Sequence, residues 1–521
     1  MASSTQVDPF PLSQLPKELR DIVYSYVERN DTKSLRVTCS AMAKDVPLRF
    51  DRVFLSANSL NIQVFRAIAD HESFRHQVSE IIWDDARLST GPELEEERLD
   101  YFDDNPDRAV TANGCPLWFK SGRLDTRCHF NNCRMPGESL GLWESWAYYK
   151  SLLQDQCQIL VSNADIEAFK YGLRRFPSLK RVTITPATHG RLWQPLYRTP
   201  MIRAFPRGFD YPIPKAWPCS SPMPIDALPW ESQEGDRPYQ AMYGVGCDAE
   251  AYRAKWRGYR AVTRVLVECG QDHHVTELII CGNEIGSGIN CHIFDQPCVE
   301  YDDLVTLLKR PGFRRLDLDL FTGLLEHEDW VSYKSGLLYN ALSQAKSLQH
   351  LCLRSTTGIA DGWPQQLDPE EVEEFVFPLR TIFPIDHWPQ LQHFGLSNFL
   401  VPLNDLISLL AALPKSLRSV ELSHLGWGSL DANESYHDLL RKIRDTLDWR
   451  SRPMEERPKV HMVASAAAYS NEEGYVQVDE AVYSFLYGDG KSPFDHHPNI
   501  IYPGEGGVER DIFDPGVAVP F

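Results

Sequence analysis

Cysteine and histidine gather twice along this chain, at Cys115, Cys128, His129 and Cys133 and again at Cys291, His292 and Cys298. Thiolate and imidazole are zinc ligands, but ordinary zinc modules draw on closely spaced ligand pairs such as Cys-x-x-Cys, and that spacing is absent. Both groups therefore read as loop or core residues, and no metal or cofactor is expected. Gly244-Val-Gly246-Cys-Asp-Ala249 fits G-x-G-x-x-A ahead of a helix, yet no strand run leads into it as a dinucleotide site requires. The Gly-Asp-Gly-Lys-Ser run at Gly488 lacks the first glycine of a phosphate loop, and H-E-x-x-H does not occur. His496-His497 reads as a solvated pair. No residue is expected to be catalytic, although an enzyme of unfamiliar type with its site in an aromatic insertion is one reading to set beside the others.

A different chemistry, recognition by charge, is carried by a recurring pattern. L-x-x-L-x-L with substitutions begins at Val78, Leu179, Val275, Phe313, Leu348, Leu391 and Leu417. Alternation of apolar and polar residues makes each copy a short strand with one buried face. The residues between the apolar positions then point away from the core: Glu80, Arg181, Thr183, Glu277, Arg315, Asp317, Asp319, His350, Arg354, His393, Ser397, Ser419 and Glu421. A mixed-charge strip of this kind suits a protein partner. The target-binding candidates are Arg181, Glu277, Arg315, Asp317, Asp319, His350, Arg354, His393 and Glu421. Asp317 and Asp319 lead for a basic segment, and Arg181, Arg315 and Arg354 could pair with phosphate.

The last five copies start 38, 35, 43 and 26 residues apart, with helical stretches such as DDLVTLLKR and DLISLLAAL between them. A strand and helix of that length make one turn of a solenoid, which resembles an irregular leucine-rich repeat; that likeness implies parallel strands with helices on the convex side. The competing arrangement is a doubly wound α/β domain. Two long insertions, at about 84–175 and 186–270, interrupt the array. The first carries an acidic stretch from Glu93 and then two helices. The second is rich in proline and aromatics, including Trp193, Tyr211, Trp217 and Trp230, and ends in a helix from about Asp248 to Cys269. Insertions of this length are often binding loops, but these aromatics also suit simple anchoring of a loop on the array.

Ahead of the array, Leu15, Leu19, Ile22, Val23, Tyr26 and Val27 share one face of a helix, with Ser13 placed to cap it and Pro16 in its first turn. Asp31 is the expected cap of a second helix whose Leu35, Cys39, Met42 and Val46 repeat the spacing up to Pro47. Two such helices bury too little to stand alone and need a partner. Leu15, Pro16, Glu18, Leu19, Ile22, Tyr26, Val27, Asp31, Leu35, Arg36, Val37, Cys39 and Ser40 together resemble the F-box. The resemblance implies docking on a Skp-type adaptor of a cullin-RING ubiquitin ligase through Leu15, Pro16, Leu19, Ile22, Val23, Tyr26, Val27, Leu35 and Cys39. With the array, the chain looks like the filamentous-fungal F-box proteins, an α/β architecture of helical F-box (11–56), leucine-rich-repeat-like array (57–487, closed by a last strand and capping helix from about Pro458) and irregular tail (488–521).

Composition bounds the partners. Of the 521 residues, 43% are hydrophobic, which suits a folded chain. Acidic side chains outnumber basic ones by 72 to 53, and no long basic run offers itself to a phosphate backbone or an anionic bilayer. Nucleic acid and membrane are therefore not expected as partners. The opening residues lack the pattern of a secretory signal and no apolar run is long enough to span a bilayer, so a cytoplasmic or nuclear location is expected, with the twelve cysteines reduced. The resulting expectation is a non-catalytic substrate receptor of a Skp-cullin-F-box ligase. The alternative is an interaction scaffold built on the array alone.

Overall fold

In a computed structural model of the chain the described residues are 12–27, 29–91, 114–130, 139–190, 195–214, 216–219, 227–231, 248–282, 285–323, 331–356, 376–427, 434–465 and 475–494. The chain divides into two compact units, one reaching Asp51 and one beginning at Arg52.

The first unit is built on α1 (Lys17–Ser25), α2 (Arg29–Thr38) and α3 (Ser40–Asp45), after a single 3-10 turn at Leu12–Gln14. Pro16 occupies the N-cap of α1, and Ser13, expected to cap it, lies in the preceding turn. Asp31 sits inside the first turn of α2 instead of capping it. The expected second helix is two, because Cys39 turns extended at φ −160° and its Sγ accepts from the Met42 N–H to cap α3. The unit closes on one aromatic. Tyr24 is 1% exposed and donates its hydroxyl to Asp45 at 3.1 Å, while Arg20 pairs with the same carboxylate at 2.7 Å and Arg49 donates to the Tyr24 carbonyl at 2.6 Å.

The second unit is an α/β fold on one parallel sheet. Nine strands form its path in strict chain order: β1 (Arg52–Leu55), β2 (Glu80–Asp84), β3 (Arg181–Thr185), β4 (Glu277–Ile280), β5 (Arg315–Phe321), β6 (His350–Ser355), β7 (His393–Ser397), β8 (Ser419–Ser423) and β9 (Lys459–His461). A two-residue strand, Ile289–Asn290, pairs beside the end of β5. Each of the seven L-x-x-L-x-L copies begins two residues before its strand, and all seven leading residues, from Val78 to Leu417, are buried. β1 was not foreseen, and it belongs to the sheet although the expected F-box boundary ran to residue 56. A doubly wound sheet would reverse its strand order at a switch point; this path has no reversal, and is compatible with a solenoid.

Register explains the apolar positions. Val53, Ile81, Val182, Leu278, Leu316, Leu351, Phe394, Val420 and Val460 stand side by side across the sheet, and Leu55, Trp83, Ile184, Ile280, Leu318, Leu353, Leu396 and Leu422 form a parallel row two residues on. No member of either row is more than 3% exposed. The helices between strands supply the crossovers that parallel neighbours need. They are α4 (Ser59–Asp70), α5 (Ala164–Leu173), α6 (Arg257–Glu268), α7 (Val299–Leu308), α8 (Leu337–Ser343), α9 (Leu379–Ile382), α10 (Leu403–Ala412) and α11 (Tyr436–Thr446); α12 (Asp479–Tyr487) follows the last strand, and each helix packs on the next. Among the described residues no helix is long and apolar enough to cross a membrane.

Within the first insertion, helices at Leu142–Ser162 and Ala164–Leu173 match the two expected there; its acidic stretch lies outside the described residues. The helix expected from Asp248 is capped by that residue's carboxylate but interrupted by a 3-10 turn at Ala254–Trp256, where the buried Trp256 donates its indole N–H to the Gly288 carbonyl at 2.8 Å.

Candidate functional site

On α1, one face holds the unit together and the opposite face is left open. Tyr24 and Arg20 point to α3, whereas Leu19, Ile22, Val23 and Tyr26 are 47%, 53%, 40% and 86% exposed. None of the nine residues assigned to adaptor contact is buried: Pro16 and Cys39 are exposed, and Leu15, Val27 and Leu35 are half-buried. Val37, beyond that set, is 85% exposed. Scattered exposed apolar residues are ordinary, but four on one short helical face form a patch whose burial would gain free energy.

On the sheet, the thirteen outward residues do line up, but they spend their charge on one another. The first row reads Arg52, Glu80, Arg181, Glu277, Arg315, His350, His393, Ser419 and Lys459. Arg52 pairs with Glu80 at 3.0 Å, Arg181 with Glu277 at 2.7 Å, and Arg314 with Glu277 at 2.6 Å. The Thr183 hydroxyl donates to Glu80 at 2.6 Å. Burial opposes ionisation of Glu277, but its two arginines outweigh that and hold the carboxyl below the usual carboxylate range. Tyr197 covers this end of the face, with its ring 5.2 Å from the Arg52 guanidinium and 5.9 Å from Phe54.

Asp317 and Asp319, the leading candidates for a basic partner, are only 4% and 1% exposed. Arg315 grips Asp317 through two bonds of 2.9 and 2.7 Å, and His350 lies 3.2 Å away; against the cost of burial, these hold Asp317 well below the usual range. Asp319 accepts from the Gly282 N–H at 2.7 Å and faces Arg354 at 3.5 Å. Arg354 also reaches Glu421 at 3.3 Å. The three arginines proposed for phosphate are thus already paired with carboxylates. What the strip offers a partner is its half-buried rim, Arg181, Arg315, His350, Arg354, His393, Ser419 and Glu421, over a neutralised floor.

No protein-family model matches the chain, and no curated protein matches it.

Sheet register also assembles something the sequence reading did not single out. The Cys352 Sγ lies 3.4 Å from the His350 Nε2 and 3.3 Å from the His393 Nε2, and the two imidazoles stack with centroids 4.1 Å apart at an interplanar angle of 10°. His393 is fixed by its Nδ1, 2.7 Å from the Ser419 hydroxyl. Burial, with His350 alongside, pushes the His393 ring down to about 3, so it is neutral at pH 7. Burial, then the Asp317 and Glu421 carboxylates, push the Cys352 thiol well above its ordinary value. The signal was present in the repeats themselves: Leu-Gln-His opens two consecutive copies, and the cysteine follows two residues after the first histidine.

Among the described residues Cys291, His292 and Cys298, grouped in the sequence, do not converge in this way. Cys291 is buried, Cys298 turns its Sγ to the Ile293 carbonyl at 3.7 Å, and His292 sits between Asp295 at 2.7 Å and the Ala227 carbonyl at 3.1 Å. Cys115 is buried against its own chain, Cys133 lies outside the described residues, and the side chains of Cys128 and His129 do as well. Trp193, Gly244, Gly246 and His496-His497 also lie outside them. The aromatic insertion is an anchor where it is described: Trp217 donates to Asp85 at 2.6 Å and Trp230 to Glu300 at 3.0 Å, both indoles buried. One further motif, Gly137-Glu138-Ser139-Leu140-Gly141, fits G-x-S-x-G and escaped the sequence reading. Ser139 is exposed just before the Leu142–Ser162 helix, and among the described residues no hydrogen bond joins it to a histidine.

Proposed function

We propose that the chain is the substrate-recognition subunit of a Skp-cullin-F-box ubiquitin ligase, in which the first unit docks on a Skp-type adaptor and the strand array holds a target protein. The observation that carries this reading is the division of labour on α1: Tyr24 and Arg20 close the small unit, while Leu19, Ile22, Val23 and Tyr26 stand exposed on the other side. A face of that composition gains by burial against a partner, and the F-box pattern in those residues names the partner's kind. The array supports the second half of the proposal by its extended row of outward side chains, whose half-buried rim can discriminate charge while its buried pairs keep the surface rigid. In this mechanism no residue of the chain performs chemistry. Tethering raises the target's effective concentration at the ligase's other subunits.

The test is co-expression of the full chain with a Skp-type adaptor and its cullin, followed by purification on the chain. A stoichiometric complex of all three supports the receptor. Adaptor without cullin favours an interaction scaffold instead, and a folded chain that captures neither removes the reading.

A further inference from the structure

We propose that His350, Cys352 and His393 form a binding site for one thiophilic d10 metal ion, zinc(II), on the outward face of the sheet. The three ligand atoms come from two adjacent strands and lie within 4.8 Å of one another. Tetrahedral zinc with a Zn–S distance of about 2.3 Å and a Zn–N distance of about 2.0–2.1 Å sets sulfur and nitrogen about 3.5 Å apart. The two S–N separations here, 3.4 and 3.3 Å, match that edge closely.

Two features beyond ligand proximity support the site. The first is Gly395, which stands beside Cys352 in register on β7. A Cβ on Gly395 would lie 2.6 Å from the Cys352 Sγ, so the missing side chain is what lets the sulfur rest between the histidines. The second is an outer shell. Ser419 lies 2.7 Å from the His393 Nδ1; with that nitrogen donating its proton to the hydroxyl, the Nε2 lone pair faces the sulfur. Two carboxylates flank the cluster. Asp317 is held by two bonds from Arg315, whereas Glu421 is held only loosely, at 3.3 to 3.5 Å from Arg354 and Ser397. Glu421 Oε2, 3.9 Å from the sulfur, is therefore the group freer to complete the coordination. Seating the ion tilts the stacked imidazoles apart by rotation about χ2, which is a soft torsion. Both histidines are only half-buried, so an ion has an approach from solvent. The ion would clamp β6 to β7 on the rim of the strip, and the inference does not depend on the ligase reading.

The test uses the full chain stripped with a chelator and then titrated with zinc(II), with cobalt(II) as a spectroscopic probe. One equivalent of tightly held zinc and a thiolate-to-cobalt charge-transfer band are expected. Cys352→Ser and the double variant His350→Gln/His393→Gln should each abolish the band and weaken zinc by at least about 100-fold. Gly395→Ala should do the same while leaving every ligand in place. Cys157→Ser, at an exposed cysteine on another element, should change nothing. A wild-type chain without the band, or zinc affinities for the ligand variants within tenfold of wild type, would overturn the site. Because the histidines are half-buried, their double variant decides the matter even if Cys352→Ser misfolds.

Discussion

Replacing Ile22 and Tyr26 together by alanine should separate the two jobs of α1. Ile22 is 53% exposed, so about half of the roughly 1.5–3 kcal/mol gained by burying such a side chain is still to be realised on docking. Tyr26 is 86% exposed, and a tyrosine at the centre of an interface typically costs about 2 kcal/mol when truncated. The pair should therefore lose about 3 kcal/mol of adaptor affinity, on the order of 100-fold in Kd. Isothermal titration of the full chain with a Skp-type adaptor reads this directly, and the loss should be nearly independent of salt because the lost contact is apolar. The thermal melt of the chain should barely move. Tyr24→Phe is the opposite control: it removes the 3.1 Å bond to Asp45, should cost about 1 kcal/mol of the small unit's stability, and should leave adaptor binding intact. If the double variant bound like wild type, or if Tyr24→Phe weakened binding as much, the exposed face would not be the docking surface.

Three further outcomes follow from the sheet and its helices. Burial, with Asp85 beside it, raises the Asp84 carboxyl to about 7, so the folded chain holds this proton more tightly than the unfolded one. The stability that this group contributes is fully present below about pH 4 and is lost as pH rises towards 7, by up to about 4 kcal/mol; Asp84→Asn should remove that part of the pH dependence in denaturant melts at pH 5 and pH 8, and an unchanged dependence would contradict the assignment. Asp165 is fully buried and gripped by Arg257 at 2.6 and 2.9 Å, so Arg257→Ala should cost about 3–5 kcal/mol in urea unfolding, with much of it recovered in Arg257→Ala/Asp165→Ala. Gly258 lets α6 approach β2 so closely that a Cβ would lie 2.5 Å from both Trp83 Nε1 and the Asp85 carboxyl carbon; Gly258→Ala should cost about 1–3 kcal/mol by the same assay.

Local pattern was enough for much of this protein. The alternation in each L-x-x-L-x-L copy fixed both the strand and its buried face, because a side-chain period of two leaves no other way to bury Ile81, Leu318 or Leu396. Helical spacing likewise located the apolar face of α1. Where a single residue outweighed the pattern, sequence reasoning misjudged the element: Cys39 broke the second helix by capping a third, and the four residues Arg52–Leu55 became a strand because β2 was there to pair with them. The outward strip shows the larger divide. Its members and their direction followed from alternation, but which of them remain available depends on neighbours 30 to 100 residues distant, as with Arg181 and Glu277 or Arg354 and Glu421. Parallel register, set by the packing of helices on the far side of the sheet, decides those pairings, and it alone brings His350, Cys352 and His393 around one point.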